Sequence, residues 1–239
     1  MLKLPAATTA LLFDLDGVIT QTAKVHAAAW KEMFDAFLRE RSKRSGEPFV
    51  AFDAHHEYDR HVDGKPRLAG VRGFLDARAI DHDETLVREL GDRKQELVLR
   101  LIRDDGVEAY EGSLRFVRAA RDQGLRCAVV SSSANARDIL SSVGIVDLFE
   151  VIVDGVVAER DGLPGKPAPD TFLAGARALE ADAARAVVFE DALVGVEAGR
   201  AGGFGLVVGV DRTGQADALR EHGADVVVQD LSELMEEEG

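Results

Sequence analysis

Cysteine is nearly absent from this chain: Cys127 stands alone among 239 residues, which excludes an intrachain disulfide and any cysteine-based metal cluster. Its neighbours in LRCAVV read as a buried strand, so a small core side chain is the simpler reading and a nucleophile or metal ligand the alternative. Positive charge is also scarce. Lys and Arg number 29 against 43 Asp and Glu, for a net charge of −14. That balance disfavours nucleic acid or an anionic membrane surface as partner, because both are bound by clustered cations. Long hydrophobic runs are missing too. None approaches the ~20 apolar residues of a membrane span, and Asp14 and Asp16 interrupt the apolar stretch nearest the start. No signal-peptide pattern is recognisable there, and a reducing cytoplasm is the expected location. What remains, with 46% hydrophobic residues, is the composition of an ordinary folded protein with room for one large domain or two small ones.

The most informative stretch is LLFDLDGVIT, residues 11–20, in which an apolar strand delivers Asp14 and Asp16 and then turns at Gly17. Strand residues alternate faces, so carboxylates two apart can point into one pocket beyond the carboxyl end of the strand. One is then placed to attack phosphorus and the other to move protons. Aspartates at this spacing also occur in calcium loops and helix caps. Three further motifs follow in order. LRCAVVSSSAN ends a strand in Ser131, Ser132 and Ser133, LPGKPAPD presents Lys166, and AVVFED ends a strand in Glu190 and Asp191. Each has a plainer alternative: helix caps for the serines and the acidic pair, a solvated surface residue for the lysine. GKPAPD lacks the glycine spacing and following hydroxyl of a nucleotide-binding loop. His55 and His56, flanked by Asp53 and Glu57, have no suitably spaced third ligand and read as a surface loop rather than a metal site.

Together with DLDGVIT, these strings resemble the four motifs of the haloacid dehalogenase superfamily, spread from Asp14 to Asp191. The longer string DGVITQTAKVHAAAW, with Thr22, His26 and Trp30, is similar to a narrower branch, the β-phosphoglucomutases.

From Leu114 onward, the Val-rich runs RCAVV, EVIVD, AVVFE, FGLVV and ADVVV alternate with segments of helical period. SLRFVRAARDQG is one such segment, closed by Gly124. This pattern predicts an α/β fold, a doubly wound parallel sheet covered by helices on both faces, with the strand LLFD inside it. Residues 22–103 are helix-rich instead, including TAKVHAAAWKEMFDAFL and ETLVRELGDRKQELVLRLI. The expected division is a core of residues 1–21 and 104–239 with an inserted helical cap of residues 22–103. RERSKRSGEPF reads as a loop between cap helices, and the closing DLSELMEEEG as a frayed, solvated helix.

Phosphoryl transfer needs an aligned nucleophile, neutralised phosphoryl oxygens and a proton donor for the departing oxygen. Asp14, the first carboxylate beyond the strand, is expected to form an aspartyl phosphate, and Asp16 to act as general acid and base; the resemblance assigns the same roles. Oxygen ligands with no histidine or cysteine cluster nearby point to Mg2+. Its expected ligands are the Asp14 side chain, the Asp16 backbone carbonyl and Asp191, with Glu190 beside them. Lys166 supplies a point charge to the phosphoryl oxygens, and Ser131 a hydrogen bond.

A mutase must also hold a second phosphate. The segment DGKPR resembles the family's cap loop with a phosphate-binding arginine, which implies that role for Arg67. Ser133 and Asn135, with Ser132 in the same turn, match core residues that face the same phosphate. Ala134 stands where mutases of the family place a lysine, a cation that Lys65 or Arg137 would have to replace. His26, four residues from both Thr22 and Trp30 on one helix face, matches a histidine that positions the acid and base; packing alone is its alternative. Lys94 matches a cap lysine near that histidine, and Trp30 is either core or a ligand contact. The resulting expectation is a monomeric enzyme acting on a small-molecule sugar phosphate. It would interconvert β-glucose 1-phosphate and glucose 6-phosphate through a 1,6-bisphosphate. A Mg2+-dependent phosphatase is the second reading, and a binding protein that lost turnover the third.

Overall fold

Short runs of β-branched residues bounded by turns pair into one sheet because each run is apolar on both faces and must be covered on both. In the computed structural model, which describes residues 1–236, six strands form a single all-parallel sheet. They are β1 (Ala10–Phe13), β2 (Arg126–Val130), β3 (Val151–Val153), β4 (Ala186–Glu190), β5 (Leu206–Val210) and β6 (Val226–Val228), in the order β3-β2-β1-β4-β5-β6. The doubly wound α/β fold expected from the alternation is the one observed. Strand order reverses between β1 and β4, and ligands of open parallel sheets bind at the carboxyl ends of the strands at such a switch point.

The chain divides into two compact units, Met1–Gln21 with Val107–Gly239, and Thr22–Gly106. In the first, α4 (Glu111–Asp122), α5 (Ala136–Ser142), α6 (Gly155–Arg160), α7 (Asp170–Ala178), α8 (Leu193–Ala201) and α9 (Ala216–Glu221) accompany the sheet. One face buries Leu12, Val130 and Val188 against Phe172 of α7 and Val196 of α8. On the other, Phe13 and Phe189 stack at 4.6 Å, with Phe116 edge-on to both. That stack pins the register Phe13↔Phe189, and the residue after each is a carboxylate, Asp14 just beyond β1 and Glu190 at the end of β4.

The second unit contains α1 (Ala23–Ser45), α2 (Arg67–Ala77) and α3 (Glu84–Asp105). Its core joins Trp30, Phe34, Phe52, Phe74, Val87 and Leu90. Asp35, buried on α1, accepts from Lys31 at 2.7 Å and from the Phe52 backbone N–H at 2.8 Å, which ties down the stretch after α1.

Two local expectations are corrected. RERSKRS is not a loop: α1 runs through it to Ser45, because the helix stops only where Gly46 takes a left-handed conformation, φ +76°, and returns its N–H to Ser42. DLSEL is not a frayed solvated helix either. Leu231–Leu234 form a 3-10 turn with Leu231 and Leu234 buried, capped reciprocally by Asp230 and Glu233; residues 237–239 lie outside the described residues. Helix α3 continues beyond Arg103 to Asp105.

Candidate active site

Parallel pairing brings the ends of β1 and β4 level, so Asp14 and Glu190 emerge side by side at the switch point; the Asp14 N–H donates to the Phe189 carbonyl at 2.9 Å. Lys166 reaches between them. Its Nζ lies 2.5 Å from Asp14 Oδ1 and 2.5 Å from Glu190 Oε1, and it also donates to the Val130 carbonyl at 3.3 Å. The lysine side chain is 1% exposed, far from the surface lysine that the sequence left open. Burial by itself would lower its pKa, but the Asp14 and Glu190 charges outweigh that and hold the ammonium above the usual lysine range. Burial pushes the Glu190 carboxyl upward; Lys166 opposes this and Asp14 adds to it.

Glycines make room for these carboxylates. A Cβ at Gly17 would stand 1.8 Å from Asp191 Oδ2, and Gly17 also has φ +82°, so the turn after Asp16 admits no other residue without strain. A Cβ at Gly195 of α8 would stand 1.8 Å from Glu190 Oε1. Glu190 Oε2 accepts from the N–H of Ala192 at 2.8 Å; Ala192 itself is the N-cap of α8, with no side-chain cap bond, so Glu190 is not the helix cap that the sequence offered as its alternative.

Asp14, Glu190 and Asp191 present oxygens that all lie within 4.8 Å of one another, the one group of this kind among the described residues. This set fits a divalent cation on two grounds. Carboxylate oxygens suit a hard ion, and three carboxyl groups crowd together here with Lys166 between two of them. Asp53 Oδ1 meanwhile accepts from the backbone N–H groups of His55 and His56, a turn rather than a metal site. Cys127 is buried in β2, and burial pushes its thiol up to about 12, which leaves it the inert core residue first read.

At the end of β2, Ser131 is 3% exposed and its N–H donates to the Val153 carbonyl. Ser131 Oγ accepts from the Ser133 N–H at 3.1 Å, and Ser133 Oγ from the Asn135 N–H at 3.2 Å. A hydroxyl that accepts keeps its own proton to donate, so a turn-capping serine can still bond a phosphoryl oxygen. Ser132 is partly buried, Asn135 is buried, and Ala134 and Arg137 are exposed.

In the helical unit the structure gathers His26, Trp30 and Lys94. Lys94 Nζ donates to His26 Nδ1 at 2.7 Å and lies 5.0 Å over the Trp30 ring. Trp30 is 3% exposed and stacked on Phe34, so it packs in the core of the helical unit beside Lys94. Accepting from an ammonium requires a neutral imidazole; burial and then the Lys94 charge lower the His26 pKa well below its usual value. Below pH ~6.5 unfolding therefore takes up a proton at His26. The stability it contributes is complete above the unfolded pKa of about 6.5 and is lost as pH falls below it. Between pH 7.5 and 5.5 the wild type should lose of the order of 1 kcal/mol more than His26→Gln in urea denaturation; parallel pH profiles would refute this. Arg67 opens α2 after the DGKPR turn, a third exposed, with Nη2 3.4 Å from Asp92 Oδ1.

Sequence reasoning passed over the loop after β5. Arg212 Nε donates to the Gly17 carbonyl at 2.9 Å, and Gln215 Nε2 to the Asp191 carbonyl at 3.0 Å. No motif signals either residue, since both act on backbone atoms distant in sequence.

The haloacid dehalogenase-like hydrolase family model matches residues 8–203. The β-phosphoglucomutases of Mycobacterium bovis and Mycobacterium tuberculosis are 50% identical to this chain, over 98% of it and 94% of theirs. The phosphorylated carbohydrates phosphatase of Thermotoga maritima is 27% identical over 92% of this chain and 94% of its own. The solved β-phosphoglucomutase from Clostridium difficile has the same fold, with a TM-score of 0.76 at 24% identity over 95% of this chain and 93% of that one. No described helix is long and apolar enough to cross a membrane.

Proposed function

We propose that this enzyme, which belongs to the haloacid dehalogenase-like hydrolase family, interconverts β-glucose 1-phosphate and glucose 6-phosphate through an aspartyl phosphate and a 1,6-bisphosphate. Phosphoryl transfer rests on one observation, the buried Lys166 held between Asp14 and Glu190 with Asp191 alongside. An Asp14 oxygen attacks phosphorus as the bond to the sugar oxygen breaks, and Asp16 gives that oxygen its proton. In the return step Asp16 takes the proton from the accepting sugar hydroxyl, whose oxygen attacks phosphorus and frees Asp14. Lys166 and the Ser131 hydroxyl hold the transferring oxygens. Glu190 keeps Lys166 charged and in place. Asp14, Asp191 and the Asp16 carbonyl, with Glu190 beside them, would hold Mg2+. When bound, Mg2+ supplies charge neutralisation for the phosphoryl oxygens.

The 50% identity with β-phosphoglucomutases over nearly the whole of both chains supports a sugar phosphate as substrate and a mutase as the first reading. Arg67 is assigned the phosphate that is not being transferred, and His26, oriented by Lys94, the positioning of Asp16. A sugar-phosphate phosphatase is the second reading, favoured by Ala134, which removes a cation from the second-phosphate set, and by the Thermotoga maritima relative.

The deciding experiment follows β-glucose 1-phosphate with Mg2+ and a trace of the 1,6-bisphosphate. Glucose 6-phosphate without free phosphate is expected, whereas stoichiometric free phosphate would overturn the mutase reading. Arg67→Ala is expected to weaken the bisphosphate by ~2–4 kcal/mol, through loss of a charge-assisted fork, and to leave a small monophosphoester almost unaffected. Equal effects on both substrates, or none, would favour the phosphatase.

A further inference from the structure

The loop after β5 belongs to none of the four motifs, yet it holds both acidic turns. Asp211 Oδ1 accepts from the N–H groups of Thr213, Gly214 and Gln215 at 3.2, 2.7 and 2.8 Å, and the Asp211 N–H donates to the Val228 carbonyl at 2.8 Å. The loop 211–215 is therefore a closed turn rooted on the sheet. From it Gln215 reaches the Asp191 carbonyl and Arg212 the Gly17 carbonyl. Arg212 is itself braced: its guanidinium lies 3.6 Å over the Tyr110 ring, Nη1 donates to the Gln229 carbonyl, and Asp230 Oδ2 is 3.6 Å away. Only 16% of its side chain is exposed. A planar guanidinium fixed by stacking and several bonds is a rigid donor.

Gly17 directly follows Asp16 and turns the chain there with a left-handed φ of +82°. The Gly17 N–H, in the same plane as the Asp16 carbonyl, donates to the Thr20 carbonyl at 2.8 Å. The Gly17 carbonyl, in the next plane, accepts from Arg212. Ile19 and Thr20 return their N–H groups to Leu15, and Ser113 Oγ donates to the Val18 carbonyl at 2.7 Å. The turn is closed internally, and Arg212 fastens it to the loop that also holds Asp191.

We infer that Arg212 is a positioning residue for phosphoryl transfer: by holding the Gly17 carbonyl it sets the direction in which Asp16 presents its carboxylate beside Asp14. The inference rests on the reading of Asp16 as the proton carrier, and it needs tests that separate the two.

Arg212→Met keeps side-chain length and the apolar contact on Tyr110 but donates nothing; Arg212→Lys keeps one cationic donor. Amide hydrogen exchange on the free Arg212→Met protein should show residues 17–20 exchanging ~10-fold faster, with β2 unchanged. Unaltered exchange at residues 17–20 overturns the inference whatever the substrate. In single turnovers, release of p-nitrophenolate from p-nitrophenyl phosphate, which departs without a proton, should stay within ~3-fold of wild type. Transfer from glucose 6-phosphate should fall ~10–100-fold in rate with little change in KM, and Arg212→Lys should recover part of it. Asp16→Asn should show the same selectivity between donors, and adding Arg212→Met to it should cost nothing further. Equal losses with both donors, or additive losses in the double variant, overturn the positioning role. Wild type that is phosphorylated by neither compound would instead overturn the functional reading, while amide exchange still decides whether Arg212 holds the turn.

Discussion

Asp14→Asn should reduce phosphoenzyme formation and turnover to background, a loss of at least ~10⁴-fold, because an amide is a very poor nucleophile and groups acting at the reacting centre fail together. The protein should nonetheless fold. Lys166 would keep its 2.5 Å contact with Glu190, and the buried set would pass from one ammonium against two carboxylates to one against one. The melting temperature is therefore expected to hold or rise. Radiolabelled phosphate retained on the denatured protein, measured beside thermal unfolding, tests both halves: substantial labelling of the variant removes Asp14 as nucleophile, and an unfolded variant makes its role structural.

Lys166→Met has the opposite balance. It leaves Asp14 and Glu190 buried together with no cation between them, and removing one partner of a buried ionic set costs roughly 3–5 kcal/mol. Activity should vanish with it. The stability loss has a sign in pH. Two uncompensated carboxylates have raised folded pKa values, so the folded state binds more protons than the unfolded one above pH ~4. Stability of the variant should thus decline from pH 5 to 8, and Mg2+ should restore part of it because Asp14, Glu190 and Asp191 lie within 4.8 Å of one another. Denaturant midpoints across that range, with Mg2+ and with chelator, check this. A variant as stable as wild type at pH 8 in chelator would mean that the lysine holds nothing together.

Much of this site is written locally. Asp14 and Glu190 are each the last or next residue of a Val- or Leu-rich run, and parallel pairing of such runs makes equal positions neighbours. The motif strings therefore carried geometry, and the fold class followed from alternating runs that are apolar on both faces. Residues of the helical unit were legible in part: His26 and Lys94 meet at 2.7 Å although 68 positions separate them, because the strings GDRKQEL and TAKVHAAAW belong to two helices that share one core.

Other features have no local signature. The length of α1 depended on where Gly46 could adopt a left-handed turn, not on the polarity of RERSKRS, since a helix with one buried stripe tolerates charge on its other faces. DLSEL became a buried turn because Leu231 and Leu234 found an apolar partner surface that only the folded chain supplies. Local pattern thus determined the strands, their order of chemistry and the identity of the acidic groups, since these depend on side-chain period and on residues adjacent in sequence. Tertiary structure alone decided that Lys166 is buried between two carboxylates, that Trp30 is core, and that Arg212 and Gln215 hold the acidic turns. Each of these depends on backbone groups or charges brought together from far along the chain, where residue type by itself carries no information about the partner.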